Sequence, residues 1–410
     1  MQGFNEHTLQ FIAAHKNDDV RSLALQAKRY PMVDMTAAVG QIDGWQRAKQ
    51  KIPSWASHNG IIYPQHLAME QCSSDATAQY KTLLCKRLID EYDSNNNDST
   101  LVDLTGGMGV DFAALAPLFC NAIYIEQQHE LCRIAKHNFS ILGIRGADIV
   151  ENDSTEAMKT LTHATAIFAD PARRDTHGRR TFAIADCTPN ILENLKQCLE
   201  KTCFMMLKLS PMLDWRQALK ELNSACSDAV REIHIVATDN ECKELLFVLS
   251  KKSSKPTAIF CANDKQIFNT NSETELNAPA PPAVACIEEA LNTKWLYEPN
   301  AAIMKAGCFH TLTQQFDVRA VAQNSHVFIS DKHIPDFPGR IFKVLRATTM
   351  NKKMMAETMR GIDKANITTR NFDMTPQQLR KKLKINDGGN IYLIATTTIQ
   401  RKHIIYVCGK

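Results

Sequence analysis

One ten-residue stretch constrains this chain more than any other: Val102-Asp103-Leu104-Thr105-Gly106-Gly107-Met108-Gly109-Val110-Asp111. An apolar β-run enters a glycine-rich turn, and the turn opens a helix. Glycine lets backbone turn tightly and approach a ligand with no Cβ in the way, and the first N–H groups of the helix then face that ligand. The runs around it repeat the pattern. TLVDLT, AIYIE, ADIVEND, AIFAD and CFMMLKLS read as strands with helical segments between them. Such alternation predicts an α/β fold, a parallel sheet with helices on both faces. EIHIVATD and ELLFVLS follow, separated only by Asn240-Glu241-Cys242-Lys243, and read as an antiparallel hairpin at the sheet edge.

The 410-residue length leaves room for two to four domains. Residues 1–95 read as an N-terminal helical region cut by Pro31, Pro53 and Pro64. Its last helix, ATAQYKTLLCKRLIDEY, follows Ser73, Ser74 and Asp75, which supply Ser or Asp at the N-cap. The polar run Asp93 to Thr100 marks a boundary, and residues 96–268 form the central α/β domain. Asn269 to Pro282 reads as a linker or long surface loop within a small α/β region, 269–330. Residues 331–410 mix strands with two basic helices, one of them starting at Thr375-Pro376 with Thr as cap. They carry 16 Lys and Arg against 6 Asp and Glu, whereas the whole chain is only +4. That asymmetry predicts an anionic partner for the basic end. Thirteen scattered cysteines without a CxxC pair fit a reducing, cytoplasmic setting and no zinc ribbon, so no metal is expected. No apolar run reaches membrane-spanning length, and the first residues lack the apolar core of a secretory signal.

The turn narrows the ligand. A dinucleotide site needs a third small residue three after the second glycine; counting from Gly109, Phe112 stands there. A phosphate-binding P-loop needs Lys before Ser or Thr, and none is present. S-adenosylmethionine fits better. Asp103 at the first strand end can accept from the cofactor's ammonium group. Glu126 ends the next strand 23 residues later and can take the ribose hydroxyls, while Asp153, with Ser154, ends the third and can accept from the adenine amine. Thr105, Gly106, Gly107, Gly109 and Asp111 complete the cradle. The plainer readings are a tight βα connection for the turn and a helix N-cap for Asp153.

The fourth strand ends Asp170-Pro171-Ala172-Arg173-Arg174-Asp175. An acid followed by Pro resembles the catalytic motif of amine-directed methyltransferases, whose acceptor oxygens align an exocyclic amine with the methyl group. Ala172 replaces the second Pro of that motif, and Arg173 replaces its aromatic residue. Asp170, Pro171 and Arg173 are the catalytic candidates. Arg174, with Arg179 and Arg180, can hold substrate phosphates or simply be solvated. Pyrimidine carbon-5 chemistry needs a cysteine nucleophile. The fifth strand ends Lys208-Leu209-Ser210-Pro211 without one, and Cys187 reads as structural. Lys208 and the hairpin residues Asn240, Glu241 and Lys243 are substrate-side candidates or surface charges.

These motifs, DLTGGMGVD, Glu126, DPARRD, KLSPMLD and NECKELL, resemble a bacterial family of class I S-adenosylmethionine-dependent methyltransferases with a THUMP-like C-terminal domain. The segments Glu70 to Ala78, Tyr297-Glu298-Pro299-Asn300, Phe337-Pro338-Gly339-Arg340 and Ala365 to Phe372 look like further marks of the family. The resemblance implies a Rossmann-like sheet of order 3-2-1-4-5-7-6, small ferredoxin-like and THUMP-like C-terminal domains, and RNA as partner. By distant similarity to cap guanine-N2 methyltransferases it puts Ser73, Ser74 and Thr77 near the cofactor. Three readings of the whole follow: an RNA methyltransferase; a methyltransferase for DNA, protein or a small molecule; and a non-catalytic RNA-binding protein that keeps the fold.

Overall fold

The computed structural model describes residues 4–64, 66–92, 98–172, 184–251 and 256–409. The chain divides into two compact units, Met1–Ile233 with Lys243–Lys255, and His234–Cys242 with Pro256–Lys410.

The strands of the first sheet are β1 (Thr100–Asp103), β2 (Asn121–Glu126), β3 (Ala147–Glu151), β4 (Ala164–Ala169), β5 (Thr202–Leu209), β6 (Val230–Thr238), β7 (Glu241–Leu249), β8 (Ala258–Asn263) and β9 (Gln266–Asn271). Their order is β3-β2-β1-β4-β5-β7-β6-β8-β9. Strands β1 to β5 are parallel, and β7 runs antiparallel to β5. β4 is buried along its whole length, as a central parallel strand covered on both faces must be. The order reverses at β1, so a crevice opens beyond the carboxyl ends of β1 and β4, where open α/β sheets bind ligands.

The hairpin before β7 is not the end of the sheet order, because β8 and β9 continue it. The supposed linker from Asn269 holds the end of β9 and the helix Ser272–Leu276. Ala258–Asn263 alternates partly exposed and buried residues only as far as Cys261 and is buried from there on, so its period-2 signal is short. The β6–β7 turn is also tighter than four residues. Asp239 and Asn240 both take left-handed backbone, φ 53° and 58°, the geometry of a two-residue type I′ turn.

In the first unit, the helix Asp75–Tyr92 and the helix Val110–Leu115 pack over β1 with a core that includes Leu84, Leu88, Leu101, Phe112, Tyr124 and Phe139. Phe112 is fully buried, stacked on Phe139 and edge-on to Tyr124. The bulky residue in the third-glycine position therefore belongs to the core. A separate N-terminal cluster of Phe11, Ile12, Leu23, Met35, Ala38 and Ile42 holds the first helices together.

In the second unit a further sheet contains β10 (Trp295–Pro299), β11 (Arg319–Ala320), β12 (Phe328–Ser330), β13 (Gly339–Thr349), β14 (Asn366–Arg370), β15 (Ile391–Thr397) and β16 (His403–Gly409), in the order β11-β12-β10-β13-β16-β15-β14. All its pairings are antiparallel except β14 with β15. Thr375 caps the helix Pro376–Leu383 with a full capping box. Among the described residues, no helix is long and apolar enough to cross a membrane.

Candidate active site

The glycine turn is shaped from below by an aromatic ring. A Cβ on Gly106 would lie 2.2 Å from the ring of Tyr124, whose hydroxyl donates to the Gly107 carbonyl at 2.5 Å. Gly106 is therefore demanded by the strand beneath it. Gly107 and Gly109 have φ +56° and +84°, a region open to glycine without steric cost. The position a Cβ would take on Gly107 meets nothing nearer than the Thr105 carbonyl at 3.7 Å, so the turn presents bare backbone.

Two carboxylates organise the turn. Glu126, at the end of β2, accepts from the N–H of Gly107 at 2.9 Å and from that of Gln128 at 2.8 Å. Asp103, at the end of β1, accepts from the N–H of Thr105 at 2.9 Å. Asp103 is only 1% exposed. Burial first, and then the charges of Asp111, Asp170 and Glu126, push its carboxyl up to about 8 against the opposing Thr105 hydrogen bond. The Thr105 hydroxyl accepts from the N–H of Asp170 at 2.6 Å and so ties the end of β4 to the turn.

Behind the turn lies a buried charge network that the sequence reading only partly found. Lys81 is fully buried. Its Nζ donates to both oxygens of Glu244, at 2.7 and 2.8 Å, and to the Ser73 hydroxyl at 3.1 Å, and it pairs with Asp111 at 3.2 Å. Ser73 in turn donates to Asp111 at 2.7 Å. Lys208 Nζ lies 2.5 Å from Asp170 and 3.6 Å from Asp111. Burial opposes the Lys208 charge, but Asp170, Asp111 and Glu244 outweigh it and hold its pKa above the ordinary value. For Asp111, burial raises the pKa, yet Lys81 and Lys208 win and lower it. Burial keeps Glu244 above its usual range.

Lys81 and Glu244 were not singled out in the sequence, although a signal was there. Lys81 falls on the apolar stripe of its helix, in step with the buried Thr77, Leu84, Cys85 and Leu88. A lysine on a buried stripe requires a partner.

The remaining candidates are dispersed. Ser74 and Thr77 exchange backbone-to-hydroxyl hydrogen bonds at 3.2 Å and cap the helix Asp75–Tyr92. Asp153 is exposed and caps the helix that begins at Ser154, accepting from Thr155 at 2.8 Å. Pro171 is buried beside Asp170, whose side chain is 36% exposed at the mouth. Ala172 bridges to Thr188, next to the buried Cys187. Arg173, Arg174, Arg179 and Arg180 lie outside the described residues. Asn240 accepts from the N–H of Ala301 at 2.8 Å, Glu241 is exposed, and Lys243 lies near Lys51, whose charge is disfavoured first by burial and then by Lys208 and Lys243. Among the described residues no group of three or more His, Cys, Asp or Glu is placed to hold a metal ion.

Comparison with known proteins bears on this arrangement. The ferredoxin-like domain family matches residues 295–338, and the THUMP domain-like family matches residues 339–410. No curated protein matches by sequence. Among solved structures, a candidate methyltransferase from Porphyromonas gingivalis W83 is 29% identical, with a TM-score of 0.83 and 100% of each chain covered. A class I candidate from Listeria monocytogenes is 10% identical, with a TM-score of 0.40, over 63% of this chain and 93% of its own. An RNA methyltransferase candidate from Pyrococcus horikoshii is 13% identical, with a TM-score of 0.35, over 50% and 98%. Overlaps as loose as these last two carry no weight. The full-length likeness and the strand order show that the chain has the class I methyltransferase fold, and its C-terminal residues match the ferredoxin-like and THUMP domain-like families.

Proposed function

We propose that the chain methylates RNA at an exocyclic amine of a base, in the cytoplasm. The observation that carries the cofactor half is a charge imbalance. Among the described residues Asp103 has no cation within hydrogen-bond reach, and behind it Asp111, Asp170 and Glu244 outnumber Lys81 and Lys208, the lysines paired with them. A ligand with an ammonium and a sulfonium group supplies the missing positive charge, and the bare backbone at Gly107 leaves room for it.

In this reading Asp103 holds the amino group, Glu126 the ribose hydroxyls and Asp153 with Ser154 the adenine. Thr105, Gly106, Gly107, Gly109 and Asp111 form the cradle, with Ser74 and Thr77 at its rim. When bound, S-adenosylmethionine supplies an electrophilic methyl group. The chain's own contribution is positioning, which is worth several kcal/mol in well-aligned sites. Asp170 accepts a hydrogen from the substrate amine and points the nitrogen lone pair into the crevice, with Pro171 and Arg173 shaping the mouth. Lys208 stays protonated, fixes the Asp170 carboxylate until substrate arrives and then donates to the ring nitrogen beside the amine. Arg174, Asn240, Glu241 and Lys243 contact the rest of the substrate. Residues 1–95 lid the cofactor, 96–268 carry the chemistry, 269–330 connect, and 331–410 grip phosphates.

RNA is favoured over other acceptors by the basic balance of residues 331–410 and by the THUMP-like match. The test is transfer of labelled methyl to total RNA from a strain lacking the protein, followed by nucleoside mass spectrometry. One methylated nucleoside is expected with the wild-type chain and none with Asp170→Ala. Transfer to protein or small molecules alone would overturn the RNA assignment, and absence of calorimetric heat with S-adenosylmethionine would overturn the cofactor assignment.

A further inference from the structure

Three of the family-like segments have no role in the crevice, yet they converge on one carboxylate. Glu298 sits in Tyr297-Glu298-Pro299-Asn300, Arg340 in Phe337-Pro338-Gly339-Arg340, and Arg370 closes β14. Glu298 is 3% exposed. Arg340 Nη2 binds its Oε2, while Arg370 binds its Oε1 through Nε at 3.0 Å and Nη2 at 2.7 Å.

The approach is built into the backbone. Glu298 and Arg340 are direct partners across β10 and β13. A Cβ on Gly339 would lie 2.2 Å from the Glu298 carbonyl, so only glycine lets the strands close there. Arg370 comes from the far side, because three strands (β13, β16 and β15) separate β10 from β14. In a flat sheet four strand spacings span about 19 Å, too far for these side chains to meet. The sheet must therefore curl, and the arginines converge within its concave side.

One carboxylate neutralises one guanidinium, so this cluster keeps a full positive charge. Both arginine side chains remain 39% exposed. Nε of Arg340 is buried with no hydrogen-bond partner among the described residues. His326, which burial and the Arg370 charge keep below its ordinary pKa, adds no second cation at neutral pH. It is held in left-handed backbone, φ 51°, and stacked on Phe309 at 4.8 Å. Strained non-glycine backbone of this kind tends to persist where a site over-determines it. One arginine suffices to neutralise Glu298; the second, also 39% exposed, brings guanidinium donors beyond those bound to Glu298, which a phosphate group can accept from.

We propose that Arg340 and Arg370, spaced by Glu298, form a phosphate-binding pincer for the sugar–phosphate backbone of the RNA substrate. This rests on the RNA reading above. It assigns the anion contact to two residues outside the basic helices and gives the buried glutamate the task of holding the two forks apart.

The test is binding of the full chain to total transfer RNA at a series of salt concentrations, with melting followed in parallel. Arg340→Gln and Arg370→Gln keep a donor for Glu298. Each is expected to weaken binding about tenfold and to lower the slope of log affinity against log salt by about 1, with melting close to wild type. Wild-type affinity and slope in both folded variants would overturn the pincer while leaving the RNA reading intact. A wild-type chain that binds no RNA overturns both. If the Gln variants do not fold, Arg340→Lys and Arg370→Lys keep the charge but lose the fork. Affinity is then expected to fall with the slope retained, and unchanged affinity overturns the proposal.

Discussion

Asp103 shows how a single side chain can be costly to the fold and, in the proposed reading, serve the site. Its carboxyl is pushed up to about 8 in the folded chain, against an ordinary value of 3.8. Between those values the unfolded chain has released the proton and the folded chain still holds it. Stability therefore falls as pH rises from about 4 to about 8. Asp103→Asn removes that penalty. The variant is expected to melt higher than wild type, with a gap that widens from pH 5 to pH 8, and to bind S-adenosylmethionine at least tenfold more weakly. Scanning calorimetry across pH checks the first outcome and titration calorimetry the second. A ligand cation should also draw the proton off, so binding at pH 7 should release protons to the buffer, which calorimetry in buffers of different ionisation heat detects. An unchanged melting gap would mean that Asp103 is ionised without ligand.

At the scale of elements, the Lys81–Glu244 pair joins the helix Asp75–Tyr92 to β7, and Asp111 and Ser73 join the same centre to the helix after the glycine turn. Both Lys81 and Glu244 are nearly inaccessible to solvent. Removing one partner of a buried pair leaves an uncompensated charge and costs about 3–5 kcal/mol, whereas replacing both with apolar residues is often neutral. Lys81→Ala should therefore melt several degrees lower than the double variant Lys81→Met with Glu244→Leu. The double variant should fold, but with a loosened crevice: weaker cofactor binding together with a wild-type melting temperature would assign the pair to positioning. If the double variant melts as low as Lys81→Ala, the pair is a stabilising contact in its own right.

At the scale of the whole molecule, the charge asymmetry bears on the proposed RNA partner. Residues 331–410 carry 16 basic and 6 acidic side chains. Phosphate contacts release counterions, so log affinity for RNA should fall linearly with log salt, at about 0.7 per contact for single strands. Filter binding between 50 and 200 mM salt measures it, and a flat line would remove the phosphate contacts. The same measurement on Asp103→Asn should give the wild-type slope, since that residue belongs to the crevice and carries no phosphate.

The sequence by itself determined the local and periodic features. The strand–turn–helix at Asp103 to Asp111, the alternation of strands β1 to β5 with helices, the Thr375 cap and the basic C-terminal region all follow from short-range rules, because glycine freedom, side-chain periodicity and capping act within a few residues. Tertiary structure decided what depends on residues far apart in the chain. Lys81 meets Glu244 across 163 positions, and Arg370 meets Glu298 across 72. No spacing announces such pairs: the apolar stripe under Lys81 says that it needs a partner but not which one. Burial turns them into partners, because a charge withdrawn from water must find its opposite, and the fold alone fixes which opposite is within reach.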